Sequence, residues 1–243
     1  QGQGPDEITI IGHVGIDETN RRFFVSDHGK LKIFAYDLDS VLTTPEYQPS
    51  VKIDMKKKLF PDDYLYLNDT LCIAKIIEPI GNNDYKPSVA RWNMATGEIN
   101  PMPYEYPDLK KVRFIYAASA EHQLYVQCYT QYDLMTICDF NGNLKCNIYG
   151  PKWVNEKTQT QHYSLGVEFC GDKILALYSG GDHRTDAYYP TKFLVFDLNG
   201  NYLKTLETGY MITDFCYDKE NNRLIINLND EIQFAYLDLE GII

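Results

Sequence analysis

The sequence has 243 residues, 44% of them hydrophobic, and a formal net charge of −11 at pH 7. This hydrophobic content supports a packed core and excludes wholesale disorder. The acidic balance, without a basic stripe, excludes nucleic acid and anionic membrane surfaces as expected partners. No stretch approaches the roughly 18 uncharged apolar residues of a membrane-spanning helix, so we expect no transmembrane segment.

A strand-and-turn pattern recurs along the chain. Each copy is an apolar strand that ends in Asp or Asn and runs into a tight turn. The copies lie about 50 residues apart, which is the period of a four-stranded propeller blade. We therefore predict an all-β fold, a single β-propeller of four-stranded antiparallel blades over residues 1–243, and disfavour a β-sandwich. The marker residues of the five copies are Asp37, Asn93, Asp139, Asp197 and Asp238. The blades are expected at about 8–54, 60–105, 111–150, 162–208 and 211–243.

Each blade is expected to begin with a short inner strand that leads into a second strand rich in β-branched and aromatic residues. The second strands read RRFFVSD (21–27), TLCIAKI (70–76), QLYVQCY (123–129), KILALYS (173–179) and RLIINLN (223–229). Asn141-Gly142 and Asn199-Gly200 predict type I′ hairpin turns, which need positive φ at both central positions. No helix is predicted. The fifth blade ends so early that we expect its fourth strand to be stunted.

The six cysteines all fall in predicted strands, without a CxxC pair or a histidine at zinc-finger spacing. Buried free thiols that act as small hydrophobic side chains are the favoured interpretation. A cross-strand disulfide between Cys128 and Cys138 stays open as an alternative.

The first blade carries a motif that resembles a known family. Gly2-x-Gly4-Pro5-x-Glu7, followed by GIDETNRRFFVSD and FAYDLDS, resembles the pattern of six-bladed β-propellers of the TolB-like and NHL-like kind. Exported lipoproteins of Bacteroides-type bacteria are rich in such propellers. The resemblance implies six blades in the intact protein, where five are visible here; either a first blade has been trimmed away or this ring closes with five. It also implies export to the periplasm or the cell surface, with a lipid anchor upstream of the chain as one option.

Two expanded loops between second and third strands, 76–88 and 179–192, are the candidate binding segments. Such loops gather on one face of a propeller, where a rigid scaffold holds them. A titratable His, a forked Arg donor and exposed aromatic rings, which include Tyr104 and Tyr106 of the connection 100–111, suit a carboxylate, a sugar or a peptide. The alternatives are a solvated loop without a ligand and, for the tryptophan, packing between blades. The candidate ligand-binding residues are Tyr85, Trp153, Asp182, His183, Arg184 and Tyr188.

The favoured function is a non-catalytic scaffold that binds a glycan, a peptide or a protein through these loops, without a cofactor or metal. The sequence contains no nucleophile elbow, HExxH motif or phosphate-binding glycine loop. The alternative is a metal-dependent hydrolase that resembles propeller lactonases, with Asp27, Asn82, Asp84 or Asp182 among its ligands. For Asp27, a structural role in the turn that follows its strand is the favoured interpretation.

Overall fold

The computed structural model describes residue 4, residues 7–81 and residues 84–243. The chain divides into two compact units, an N-terminal unit (Gln1–Glu105) and a C-terminal unit (Tyr106–Ile243). Both are built from antiparallel sheets. Helical structure among the described residues is limited to α1 (Leu38–Thr43) and one 3-10 turn (Asp186–Tyr188).

The N-terminal unit contains two four-stranded sheets whose strands follow one another in chain order. Their facing sides bury a cluster around Trp92, which is 2% exposed, with Phe24, Tyr64 and Ile76 among its neighbours. The first sheet consists of β1 (Ile11–Asp17), β2 (Arg22–Asp27), β3 (Lys32–Asp37) and β4 (Ser50–Asp54). The second consists of β5 (Phe60–Asn68), β6 (Leu71–Gly81), β7 (Asp84–Asn93) and β8 (Glu98–Pro101).

The C-terminal unit contains three sheets of the same kind, the last with three strands. One apolar cluster joins the third and fourth sheets and another joins the fourth and fifth. The third sheet consists of β9 (Phe114–Ser119), β10 (Leu124–Tyr129), β11 (Leu134–Asp139) and β12 (Leu144–Tyr149). The fourth consists of β13 (Thr160–Cys170), β14 (Lys173–Asp182), β15 (Lys192–Asp197) and β16 (Tyr202–Glu207). The fifth consists of β17 (Ile212–Asp218), β18 (Arg223–Leu228) and β19 (Phe234–Asp238).

The predicted fold class is confirmed: the chain is all-β and its sheets are antiparallel propeller blades. The described residues form five blades, so the six blades implied by the resemblance are not found here. Among the described residues the fifth blade has three strands, in agreement with the expectation of a stunted fourth strand. No helix in the described part of the chain is long and apolar enough to cross a membrane.

The five marker residues hold the segments that follow them with their own side chains. They are the last residues of β3, β7, β11, β15 and β19. Their side-chain oxygens accept hydrogen bonds from backbone N–H groups two to four residues further along the chain. The short side chains of Asp and Asn mimic a backbone acceptor in this way, which explains why they end each third strand.

The turns after β11 and β15 share one geometry. The carboxylate of Asp139 accepts from the backbone N–H groups of Asn141 and Asn143 at 2.8 and 2.9 Å. The carboxylate of Asp197 accepts from its two equivalents at 2.9 and 2.8 Å. Positive φ occurs at Gly142 (79°) and Gly200 (85°), and not at the asparagines before them. The type I′ prediction is therefore wrong: in each turn the N–H of the glycine donates to the carbonyl oxygen of the Asp, and this same glycine is the residue with the left-handed conformation.

Two other expectations need correction. Residues 76–88 are not an open loop, because β6 and β7 continue to pair out to Gly81 opposite Asp84. The disulfide alternative is wrong, since all six cysteines are free. Cys138 lies opposite Tyr125, three residues along β10 from Cys128, so the two thiols point to opposite faces of the sheet.

Candidate functional site

Four of the predicted site residues lie at the end of β14 and in the loop that follows it, and two of them, Asp182 and Arg184, bind each other. The guanidinium of Arg184 forks onto the Asp182 carboxylate, with Nε at 3.0 Å from Oδ1 and Nη2 at 2.6 Å from Oδ2. These hydrogen bonds, together with the Arg184 backbone N–H, hold the pKa of Asp182 far below its ordinary value. The Arg184 fork is therefore already occupied by a carboxylate within its own loop.

His183 attaches this loop to the connection that precedes β13. Its Nδ1 lies 2.8 Å from the carbonyl oxygen of Gln159, and its backbone N–H donates to the same oxygen at 3.0 Å. Tyr188, in the 3-10 turn, packs its ring 4.2 Å from that of Tyr189. The loop is thus closed by internal contacts, and Tyr188 is half-buried.

Trp153 lies in an aromatic rim, which we define as Tyr106, Tyr149 and Trp153. The centroid of the Trp153 ring is 5.1 Å from that of Tyr149 and 5.8 Å from that of Tyr106. The hydroxyl oxygens of Tyr106 and Tyr149 are 3.3 Å apart. Tyr149 is 50% exposed, and the other two rings are half-buried. The rim therefore presents flat apolar faces beside a pair of hydroxyl groups.

The turn between β10 and β11 anchors the segments that carry the rim. The hydroxyl group of Tyr132 donates to the carbonyl oxygen of Lys110 at 2.8 Å, which fixes the segment after Tyr106. The carboxylate of the next residue, Asp133, accepts from the Lys152 backbone N–H at 2.9 Å, beside Trp153. The buried ring of Tyr132 also packs beside the Trp153 ring, with ring centroids 6.3 Å apart. Two consecutive buried residues thus position both sides of the rim.

A buried polar group lies under the rim and consists of Asp133, His162 and Tyr178. The Tyr178 hydroxyl donates to Asp133 Oδ1 at 3.3 Å and lies 3.2 Å from Nδ1 of His162. Burial lowers the pKa of His162, an effect that the nearby Asp133 carboxylate opposes and the Lys152 ammonium reinforces. Sequence reasoning missed this group, because its members lie in separate strands and turns and carry no local motif. Its contacts position the rim and need no external ligand.

The remaining sequence candidates are placed elsewhere. Tyr85 lies on β7 of the N-terminal unit, opposite Pro79. Asn82 and Asn83, like Gly2 and Pro5 of the opening motif, lie outside the described residues. Within the described part of the chain, no group of three or more His, Cys, Asp or Glu residues is arranged to hold a metal ion.

Asp27 has a structural role. Its buried carboxylate accepts hydrogen bonds from the backbone N–H groups of Thr9, Ile10, Gly29 and Lys30 at 2.8 to 3.1 Å. Burial raises the pKa of Asp27, but the four hydrogen bonds outweigh burial and the net shift is downward. The carboxylate ties the chain before β1 to the turn after β2, as the sequence indicates.

No protein-family model matches the chain, and no curated protein matches it either. Solved structures do resemble it. The extracellular domain of BT4673 from B. thetaiotaomicron, described as a one-component system, matches 95% of this chain with a TM-score of 0.59 and 11% identity. A second structure of that domain, described as a hybrid two-component system, matches 99% with a TM-score of 0.60 and 11% identity. This chain spans only 28% and 29% of the length of those two chains.

A structure of the nidogen–laminin complex matches 96% of this chain and 78% of its own, with a TM-score of 0.60 and 11% identity. At this level of identity the three similarities show a shared fold alone. They agree with the blade architecture described above.

Proposed function

We propose that the chain is a non-catalytic binding module of an exported protein, and that the aromatic rim is the centre of its recognition surface. The observation that carries the proposal is the convergence of three partly exposed rings on a support of buried hydrogen bonds. Rigid aromatic side chains contribute large contact areas at low cost in conformational entropy, and anchors held by a second layer of contacts bind best.

The ligand that the rim suits best is a glycan. The apolar face of a sugar ring can lie flat on Trp153, while the hydroxyl groups of Tyr106 and Tyr149 exchange hydrogen bonds with sugar hydroxyls. The similar structures support an extracellular setting, since they include extracellular domains and a complex between proteins. The periplasm or cell surface, with a lipid anchor, remains our proposal for this chain.

The loop after β14 extends the proposed surface. Gln159, which binds His183, follows Trp153 in one connection between blades. The ammonium of Lys152 would lie 3.8 Å from a Cβ atom added at Gly180. A ligand on Trp153 would thus have Lys152, His183 and Tyr188 within the same region. Tyr85, in the N-terminal unit, stays a separate prediction.

Titration with neutral oligosaccharides of hexoses and N-acetylhexosamines tests the proposal. Binding is monitored by the fluorescence emission of Trp153 in a Trp92→Phe background. Trp153→Ala, measured by calorimetry, is expected to abolish binding, and Tyr149→Ala to weaken it about tenfold. Tyr202→Ala is the matched control, because Tyr202 is 57% exposed and lies outside the rim. The unfolding midpoint of each variant separates lost binding from lost folding.

Three results would contradict the proposal. They are the absence of binding to any oligosaccharide, an equal loss of affinity in Tyr202→Ala, or a preference for peptides over all sugars tested. A rise in thermal stability on addition of Ca²⁺ or Zn²⁺ would instead favour the metal-dependent hydrolase.

A further inference from the structure

The fifth sheet ends in an unpaired strand. The other four sheets each place a fourth strand beside the third, but β19 pairs only with β18 in the described part of the chain. Alternate backbone N–H and C=O groups of an edge strand point away from its partner and are free to bind another strand. The exposed edge of β19 is therefore a template for strand addition.

An apolar groove of about 630 Å³ runs beside this edge. One wall is formed by β16 and the other by β19, and the floor includes Ile212, Ile226 and Leu228. These floor residues are at most 9% exposed and belong to the core of the unit. The groove lies where the fourth strand of the sheet would pack, so its size and apolar floor suit the side chains of one strand.

The walls of the groove carry exposed aliphatic and acidic side chains. Ile232 is 71% exposed, whereas the ring of Tyr236 lies on the other face of β19, where the Arg223 guanidinium is 5.4 Å from the ring centroid. Glu207 and Asp230 also line the groove, and neither carboxylate is in an ion pair among the described residues. The nearby Lys204 does not neutralise them directly, because its ammonium donates to the carbonyl oxygen of Ile242. A basic occupant would complement this charge.

We propose that this groove binds an extended basic peptide of a partner protein, which adds to β19 as the fourth strand of the sheet. Apolar side chains at alternate positions of the peptide enter the groove, and Lys or Arg side chains between them approach Glu207 and Asp230. Main-chain hydrogen bonds to β19 supply affinity and the groove supplies selectivity, as in other cases of strand addition. The peptide runs antiparallel to β19, as fourth strands do in the other sheets.

The probe is a labelled, end-capped octapeptide of alternating Val and Lys. Its binding to the chain 1–243 is measured by the fluorescence anisotropy of the label. Binding is expected for this peptide and not for the same peptide with a central proline or with Glu in place of Lys. Two further peptides carry N-methyl groups on alternate amides, in the two opposite phases. One phase should retain binding and the other should lose it, because only one edge of the peptide pairs with β19.

Ile232→Ala is expected to weaken binding of the octapeptide about tenfold or more. Phe234→Ala is the matched control, since Phe234 lies close by in the sequence and is similarly exposed at 67% but does not line the groove. Its affinity should stay within about twofold of wild type. Replacement of Glu207 and Asp230 by Gln and Asn should weaken binding and reduce its dependence on salt.

Several outcomes would overturn the proposal. One is equal loss of affinity in Ile232→Ala and Phe234→Ala, or equal binding of both N-methylated peptides. Another is self-association of the chain in sedimentation experiments that Ile232→Ala abolishes, which would make the occupant a second copy. A third is that residues 1–243 bind the peptide but a longer natural polypeptide that includes them does not. Additional residues of that polypeptide would then be the occupant of the groove.

Discussion

Asp133 should be a determinant of stability in the C-terminal unit. The residue is 1% exposed, and its carboxylate accepts from the Lys152 backbone N–H and the Tyr178 hydroxyl. Replacement by Ala leaves both donors without this acceptor, at about 1–3 kcal/mol for each buried donor. The Tyr178 hydroxyl can still bind Nδ1 of His162, 3.2 Å away, so we expect a loss of about 2–4 kcal/mol.

Urea unfolding, monitored by Trp153 emission in a Trp92→Phe background, measures this loss. The sequence has two tryptophans, so the remaining signal reports on the C-terminal unit alone. A loss of this size should lower the midpoint by roughly 1–2 M urea. Asp172→Ala is the control, because the Asp172 side chain is 77% exposed and pairs only with Lys173 at the surface. Equal midpoints for the two variants would refute the reasoning, whereas Asp133→Asn should fall between Asp133→Ala and wild type.

Three further predictions concern protons, backbone and thiols. The pKa of His162 is lowered mainly by burial, so the free energy of unfolding should fall as pH drops below about 6.5, by at most about 1.4 kcal/mol per pH unit. His162→Gln should reduce that slope between pH 7 and 5 in urea titrations, and an unchanged slope would contradict it. Gly200→Ala should destabilise the protein more than Gly209→Ala, although both glycines have positive φ. A Cβ atom added at Gly200 would lie 2.7 Å from Cys146 Sγ, whereas one added at Gly209 would meet no atom within 4 Å. Equal unfolding midpoints for the two variants would contradict this prediction. In the native protein a thiol reagent should label the exposed Cys216 and the half-buried Cys146 but spare the four buried cysteines, as mass spectrometry of the labelled peptides can show.

The blade architecture could be predicted because its signals are local. The strand-ending Asp and Asn residues bind backbone N–H groups within four residues, so their chemistry is visible in a short stretch of sequence. The hairpin at 76–88 was predicted as a loop because its Pro, Gly and Asn residues are typical of loops. Strand pairing there is nevertheless maintained between exposed residues, such as Glu78 opposite Lys86, whose polar composition does not distinguish strand from loop.

The aromatic rim could be predicted only in part. The sequence indicates Trp153 and Tyr106 as exposed rings of one rim, but Tyr149, 43 residues after Tyr106, reads as the end of an ordinary strand. Their meeting depends on Tyr132 and Asp133, whose importance comes from partners in three distant segments. Arg184 shows a different limit: its fork suggests an anion-binding group, and the sequence does not reveal that a carboxylate two residues away binds it.

The paired turns at Asp139–Asn143 and Asp197–Asn201 give the molecule an internal replicate. Each makes the same set of local hydrogen bonds with nearly equal distances, in sheets with different neighbours. Identical substitutions at equivalent positions therefore hold the turn chemistry constant and vary only the surroundings. Any difference between their effects on stability measures how much the neighbouring blade contributes to a hairpin, a quantity that single-site mutagenesis in most proteins cannot isolate.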